Sequence, residues 1–110
     1  MWLFRGVTVL TLERDFQRRI VRKLRDRYQD ALVMKTDPNQ IQGIPDILIL
    51  AHGRYAFLEF KRSGKASHRP NQDYYCAKIN QDGGFASFID PSNEADVLSD
   101  LDDYFTKDES

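Results

Sequence analysis

The sequence predicts a mixed α/β domain in which a central β-hairpin is flanked by helices. Two short extended runs, residues 46–51 and 55–61, are joined by a glycine turn at 52–54. Segments with the periodicity of amphipathic helices lie before and after this hairpin, at residues 11–28 and 70–83. The predicted order is helix, strand, strand, strand, helix, strand, helix.

The first helix is predicted from Thr11, as N-cap, to Tyr28. Its apolar positions recur every four residues at Phe16, Ile20, Leu24 and Tyr28. Glu13 lies within this apolar stripe, one turn before Phe16, which is an unusual place for a carboxylate. A second face is basic and carries Arg14, Arg18, Arg22 and Arg25, which we interpret as surface charges.

The strands follow this helix. Residues 31–35 form a short candidate strand, and residues 36–45 are predicted to be a loop because they contain two prolines, an asparagine and a glycine. The run from Asp46 to Ala51 is almost continuously apolar, and the run from Tyr55 to Lys61 is rich in aromatic residues. Gly53 supplies the turn between them, so the two runs form a hairpin.

The remaining elements are a helix, a strand and a helix. Pro70 suits the first turn of the second helix, whose inner face is Gln72, Tyr75, Cys76 and Ile79. Residues 85–89 form a short strand. Ser92 is the predicted cap of an acidic last helix, 92–106, whose buried side is Ala95, Leu98, Leu101 and Phe105.

Length and composition indicate one domain, residues 1–110, with its core at about 11–90. No apolar run is long enough for a membrane span, and the N-terminus lacks the features of a signal peptide, so we expect a cytoplasmic protein. The single cysteine, Cys76, argues against disulfides and a zinc site. Residues 1–70 hold 14 Lys and Arg against 7 Asp and Glu, and residues 71–110 hold 2 against 10. This division permits a basic nucleic-acid surface, although two solvated faces explain it equally well.

The residues that indicate chemistry lie on the hairpin. Asp46 begins one strand, and Glu59 and Lys61 follow after twelve intervening residues. Because alternate residues of a strand point to the same side, Glu59 and Lys61 share a face, and the hairpin can bring Asp46 beside them. Two carboxylates suit Mg²⁺, and a lysine beside them can orient or deprotonate an attacking water.

These residues resemble the signature of the PD-(D/E)xK nuclease superfamily, with Pro45-Asp46 and Glu59-Phe60-Lys61 as its two halves. The Gly43-Ile44-Pro45-Asp46 entry, Glu13 upstream and Gln72 downstream resemble its virus-type replication-repair nuclease (VRR-NUC) branch. The resemblance covers roughly residues 11–90. It implies a restriction-endonuclease-like core, with a mixed sheet flanked by helices.

The resemblance also implies roles for individual residues. Asp46, Glu59 and the Phe60 carbonyl would bind Mg²⁺, for which Mn²⁺ would substitute, and no organic cofactor is implied. Glu13 would join the metal site directly or through a water. Lys61 would serve the nucleophile, and Gln72 would position Lys61 or a phosphate.

Each of these residues also has a plain structural interpretation. Glu13 could be a first-turn acid stabilised by the helix dipole, and Gln72 could be an exposed early-helix residue. Asp46 could simply start a strand, and Glu59 and Lys61 could lie on a solvated face. Tyr55 and Phe57 share the face of Glu59 and Lys61, which argues against a wholly solvated one.

The functional prediction is a divalent-metal-dependent endodeoxyribonuclease that prefers branched, junction or flap DNA to a particular sequence. DNA backbone contacts are predicted from Arg62, Lys65, His68 and Arg69, which lie close in sequence to the metal site. A homodimer is expected, with the apolar segment 1–10 as part of the contact. The alternatives are a catalytically silent nucleic-acid-binding module with a nuclease fold, and an interaction protein whose acidic segment, 94–109, docks to a basic partner.

Overall fold

The computed structural model describes residues 9–107, and their side chains from residue 12 onward. The order of elements is the predicted one. They are α1 (Val9–Arg27), β1 (Leu32–Lys35), β2 (Ile47–Ala51), β3 (Arg54–Phe60), α2 (Gln72–Gln81), β4 (Phe85–Ile89) and α3 (Glu94–Thr106). Within residues 9–107, no helix combines the length and apolarity that crossing a membrane requires.

The four strands form one mixed sheet in the order β1-β2-β3-β4. β1 pairs antiparallel with β2, and β2 pairs antiparallel with β3 through the predicted hairpin. β4 joins β3 in parallel, and the chain makes this connection through α2. A parallel pair needs such a crossover, because the chain must return to the starting edge of the sheet.

Helices cover both faces of the sheet. α1 and α3 pack on one face, where the main hydrophobic cluster also takes residues from β2, β3 and β4. α2 packs on the other face, where Cys76 and Ile79 meet Ala86, Tyr55 and Phe57. The alternation of side chains along β3 therefore serves two different cores. The main cluster comprises Phe16, Ile20, Leu24, Ile47, Ile49, Ala56, Leu58, Phe60, Ile89, Val97, Leu98, Leu101 and Phe105.

The predicted starts of the first two helices were wrong. α1 already includes Val9, so Thr11 lies inside the helix and is not its N-cap. α2 begins at Gln72, and its N-cap is Asn71 in the left-handed conformation, with φ 73°. Pro70 therefore precedes the helix. Its fixed φ restricts the backbone just before the N-cap, and Pro70 is not part of the first turn.

The predicted start of the last helix was also wrong. α3 begins at Glu94, and its N-cap is Asn93, one residue after the predicted cap, because the side chain of Ser92 is engaged elsewhere. The Oγ and N–H of Ser92 both donate to Asp90 Oδ1, at 2.5 and 2.7 Å. Such a local turn competes with helix capping. Ala95 is exposed, and Val97 takes its predicted place on the buried face.

Candidate active site

The hairpin register places Asp46 beside Glu59. Ile47 is the partner of Leu58 across the antiparallel pair, so the residues one step further out, Asp46 and Glu59, face each other. Ile47 and Leu58 point into the main core, and Asp46 and Glu59 therefore point to the α2 side. The backbone N–H of Phe60 donates to Asp46 Oδ2 at 2.9 Å, which fixes the carboxylate against the strand.

Gln72 connects Glu59 and Lys61. It is the first residue of α2 and only 6% exposed. Its Nε2 donates to Glu59 Oε2 at 2.8 Å, and its Oε1 accepts from Lys61 Nζ at 2.8 Å. Oε1 also accepts from the Arg69 backbone N–H at 2.8 Å. The amide therefore separates the acid from the base while holding both, and Gln72 is not an exposed early-helix residue.

Lys61 is buried, with 7% exposure, and its ammonium group has two hydrogen-bond acceptors. Besides Gln72, the Ser67 carbonyl accepts from Nζ at 3.1 Å. Glu59 Oε2 lies 3.9 Å from Nζ, and the ring centroid of Phe88 lies 5.9 Å away. An ammonium group has three N–H donors, so one remains for a group that enters the site.

The two carboxylates lie in a poorly solvated place. Burial raises the pKa of Glu59 to about 8, and the neighbouring Asp46 carboxylate acts in the same direction. Burial likewise raises the pKa of Asp46, against the hydrogen bond from the Phe60 N–H, which lowers it. Among the described residues, Glu59 Oε1 is a buried oxygen without a hydrogen-bond partner. The protein therefore holds two adjacent acids with less compensation than their charges require.

These groups open into one cavity of about 510 Å³. α1 contributes one wall, the 36–45 loop a second, and the segment between β3 and α2 a third. The charged and amide side chains that line it are Glu13, Arg14, Gln17, Lys35, Gln42, Asp46, Glu59, Lys61, Arg62, Arg69 and Gln72.

Gly43 shapes the wall formed by the 36–45 loop. It has φ +92°, and a Cβ at this position would lie 2.5 Å from the Cβ of Asn71. The loop therefore touches the N-terminus of α2 at a residue without a side chain. This contact keeps Asp46, at the end of the loop, close to Gln72, at the start of the helix.

Glu13 lines the same cavity and is partly buried. α1 has no acidic residue in its first described turn, so the interpretation of Glu13 as a helix-dipole acid was wrong. Within residues 12–107, no three His, Cys, Asp or Glu side chains lie close enough together to hold a metal ion. Participation of Glu13 in a metal site, and of the Phe60 carbonyl, stays a prediction.

The four predicted DNA contacts differ in where they lie. Arg62 and Arg69 line the cavity, whereas Lys65 and His68 do not. The His68 ring stacks on Phe88 with centroids 3.9 Å apart, and its Nδ1 lies 2.8 Å from Asp73 Oδ1. These contacts turn His68 toward the protein, and only Arg62 and Arg69 are placed beside the carboxylates.

Several residues of the site escaped the sequence analysis. Ser67 contributes its backbone carbonyl, and because every residue has one, the sequence does not indicate this role. Phe88 belongs to β4, which follows α2 in the sequence and is therefore distant from Lys61 along the chain. Arg14 and Lys35 line the cavity from α1 and from the end of β1. The position of Lys35 could have been inferred from the sequence, because it ends the strand that precedes the loop leading to Asp46.

The fold and the site together define an α/β domain with a four-stranded mixed sheet, in which a hairpin presents two carboxylates and a lysine. A solved structure described as a VRR_NUC domain matches the chain with a TM-score of 0.57 and 24% sequence identity. The match covers 74% of this chain and 91% of the other. This likeness shows a VRR-NUC fold, as the sequence resemblance predicted. Neither the family models nor the curated proteins yield a match to the sequence.

Proposed function

We propose that the protein is a divalent-metal-dependent DNA endonuclease. The observation that carries the proposal is the convergence of Asp46, Glu59 and Lys61 in one cavity, with Gln72 bonded to both Glu59 and Lys61. The VRR-NUC fold supports the same function.

The carboxylates fit a hard divalent cation such as Mg²⁺, with Mn²⁺ as a substitute. The buried Glu59 Oε1 lacks a donor among the described residues, and burial works against the charge of both Asp46 and Glu59. Oxygen ligands of this kind are the ones that Mg²⁺ prefers, and Asp46 and Glu59 would supply them. The bound ion would neutralise charge on the phosphate and lower the pKa of a water.

Lys61 is suited to orient the attacking water or a phosphate oxygen. Its ammonium group donates to Ser67 O and Gln72 Oε1, which hold it in place. The third N–H is available to the nucleophile. Gln72 acts through Lys61 and Glu59 as a positioning residue, because its amide fixes both side chains at once.

The cations of the cavity support a nucleic-acid substrate. Arg62 and Arg69 line the cavity from the segment between β3 and α2, and Arg14 and Lys35 line it from α1 and β1. Arginine and lysine contacts to phosphates position a nucleic acid without reading its sequence. We therefore propose selection by DNA structure, with a branched, junction or flap substrate preferred to a particular sequence.

The test is cleavage of end-labelled linear duplex, single-stranded, flap and four-way-junction DNA, each with Mg²⁺, Mn²⁺ or EDTA. Lys61→Met keeps the length of the side chain and removes its charge, and Lys78→Met is the matched control on the exposed side of α2. We expect metal-dependent cleavage by wild type and Lys78→Met, with a preference for the branched substrates, and none by Lys61→Met.

Two results would overturn parts of this proposal. Binding of DNA without cleavage by wild type under every condition would identify a catalytically silent module. Equal rates on linear and branched DNA would refute structure selection and leave the nuclease proposal intact. Thermal unfolding of each variant, followed by circular dichroism, separates loss of chemistry from loss of fold.

We also propose a homodimer, because cutting both strands of a duplex or junction needs two active sites. Residues 1–8 of the predicted contact lie outside the described residues. An exposed apolar patch at the β1 edge of the sheet supports the dimer: Leu32 is 63% exposed, Met34 46% and Leu50 38%. These residues are neighbours in the sheet. Light scattering that gives a monomer mass at all concentrations would refute the dimer.

A further inference from the structure

The cations of α1 fall into two rows with different surroundings. Arg19, Lys23 and Arg27 face α3, and each of them meets a carboxylate there. Glu94 accepts from Arg19 Nη1 at 3.1 Å and from Lys23 Nζ at 2.5 Å. Asp102 accepts from Arg27 Nε at 2.9 Å. Every cation of this row is therefore paired with a carboxylate of α3.

The second row faces away from α3 and lacks such compensation. All four arginines of this row are exposed. Within the described residues, Arg18 pairs only with the exposed Asp15, at 3.4 Å, and neither Arg14 nor Arg22 has a carboxylate partner. Arg25 donates to the Val33 carbonyl at 3.1 Å, which leaves its charge without a counter-ion. The row is Arg14, Arg18, Arg22 and Arg25.

The second row lines a groove between α1 and β1, with a volume of about 520 Å³, which we call the α1 groove. The walls also include Lys35 and one acid, Asp26. Three residues line both the α1 groove and the active-site cavity, namely Arg14, Gln17 and Lys35. The two depressions are therefore adjacent, and a strand that leaves the carboxylates past Arg14 enters the α1 groove.

We propose that the α1 groove binds the phosphodiester backbone of the nucleic acid on one side of the scissile bond. The proposal rests on the proposed nuclease function for the position of that bond. A groove lined by four exposed arginines and one acid matches a polyanion, and phosphate contacts of this kind dominate affinity for nucleic acids. The continuity with the catalytic cavity favours a nucleic acid over other polyanions.

The length of the row sets the length of DNA that it contacts. Arg14 and Arg25 are eleven residues apart, which is about 16 Å along an α-helix. A strand of duplex DNA advances about 3.4 Å per nucleotide, so the row spans roughly five phosphates. Duplexes that end within about five nucleotides of the cleaved bond on this side would lose these contacts.

The experiment measures binding of fluorescein-labelled duplexes of increasing length to the whole protein in EDTA, by fluorescence anisotropy at several salt concentrations. The test variant is Arg18→Gln/Arg22→Gln, whose positions lie in the α1 groove and outside the catalytic cavity. The matched control is Arg19→Gln/Lys23→Gln. Both double variants remove two positive charges from the same helix, so a difference between them reports position and not net charge.

We expect the test variant to bind long duplexes at least about tenfold more weakly at 0.1 M salt, and the slope of log K against log salt to fall by about two. The control variant stays within about threefold of wild type, and the effect of the test variant disappears on the shortest duplexes. In cleavage assays the test variant raises KM with little change in kcat.

Three outcomes would overturn the proposal: equal loss in both double variants, no loss in either, and dependence on Arg18 and Arg22 for binding anionic phospholipid vesicles but not DNA. The outcome for the nuclease is separate. Binding that depends on the α1 groove without any cleavage would refute the proposed function and keep this inference. If the test variant cleaves duplexes of every length as well as wild type does, this inference is refuted and the proposed nuclease function stands. Unfolding curves confirm that both double variants are folded.

Discussion

Replacement of Gln72 by methionine tests whether its amide holds the active site together. Methionine has a similar length and shape but cannot make the three hydrogen bonds of 2.8 Å that the amide makes to Glu59, Lys61 and the Arg69 backbone. Glu59 and Lys61 are 5% and 7% exposed, so water does not readily replace the lost partner. Lys61 would keep only the Ser67 carbonyl as an acceptor.

The expected cost follows from these partners. Two of the three hydrogen bonds involve side chains that can be charged, and each such bond contributes about 1.5 to 3 kcal/mol, against about 1 kcal/mol for a neutral one. Burial of the methionine side chain returns about 1 to 2 kcal/mol. We therefore expect Gln72→Met to lower the free energy of unfolding by roughly 2 to 6 kcal/mol.

Urea unfolding in EDTA at pH 7 measures this loss, and Gln81→Met is the matched control. Gln81 ends the same helix and is exposed, so its replacement should change stability by less than about 0.5 kcal/mol. In the cleavage assay we expect Gln72→Met to lower kcat by about 10- to 100-fold, as is usual for residues that orient catalytic or metal-binding groups.

The result that would refute this reasoning is equal stability of Gln72→Met and Gln81→Met. The hydrogen bonds would then contribute nothing net, and Gln72 could not be what positions Lys61. A large loss of stability with unchanged kcat in the folded fraction would show a purely structural role for the amide.

Three further predictions concern the carboxylates and the loop beside them. The folded-state pKa of Glu59, about 8, lies above its ordinary value of 4.5, so its contribution to metal-free stability is complete below pH 4.5 and is lost as the pH rises through 8. Urea midpoints should fall across this window in wild type but not in Glu59→Gln. Adding 10 mM Mg²⁺ should raise the wild-type melting temperature and leave that of Asp46→Asn unchanged, as a thermal scan in each buffer would show. Gly43→Ala should cost about 1 to 3 kcal/mol in urea unfolding, because the positive φ strains alanine and its Cβ would collide with Asn71; Gly53→Ala shares the positive φ but meets no such collision, so it should cost less.

The hairpin shows what the sequence could predict of the site. Alternation along β3 places Ala56 and Leu58 on the face of the main cluster and Tyr55, Phe57 and Glu59 on the α2 face, and the sequence shows this alternation. The glycine turn then sets the register, and the register places Asp46 opposite Glu59. The sequence was therefore sufficient to predict which face of the sheet carries Asp46 and Glu59 and that the two carboxylates are neighbours.

The contacts that complete the site were not predictable in this way. Ser67 acts through its carbonyl, whose direction depends on the path of an irregular segment. His68 is a residue type that can contact phosphate and lies in a basic segment, but its ring stacks on Phe88, which belongs to β4. The start of α3 at Glu94 depends on competition between Asp90 and α3 for the side chain of Ser92. Each of these depends on tertiary contacts or local competition that periodicity does not encode.

The structure explains why residues 1–70 are basic and residues 71–110 acidic, because α1 and α3 lie side by side and form ion pairs. Burial opposes ionisation of Glu94, but the hydrogen bonds from Lys23 and Arg19 prevail and lower its pKa, and the hydrogen bond from Arg27 lowers the pKa of Asp102. The acidic helix thus already has a basic partner within the chain, which weakens the case for an acidic docking tail. Because the carboxylates of α3 pair with one row of α1 only, most of the unpaired positive charge lies on the other row, beside the cavity that holds Asp46, Glu59 and Lys61. Surface charge in this protein is therefore separated by helix face, and a near-zero net charge is compatible with a strongly basic nucleic-acid surface.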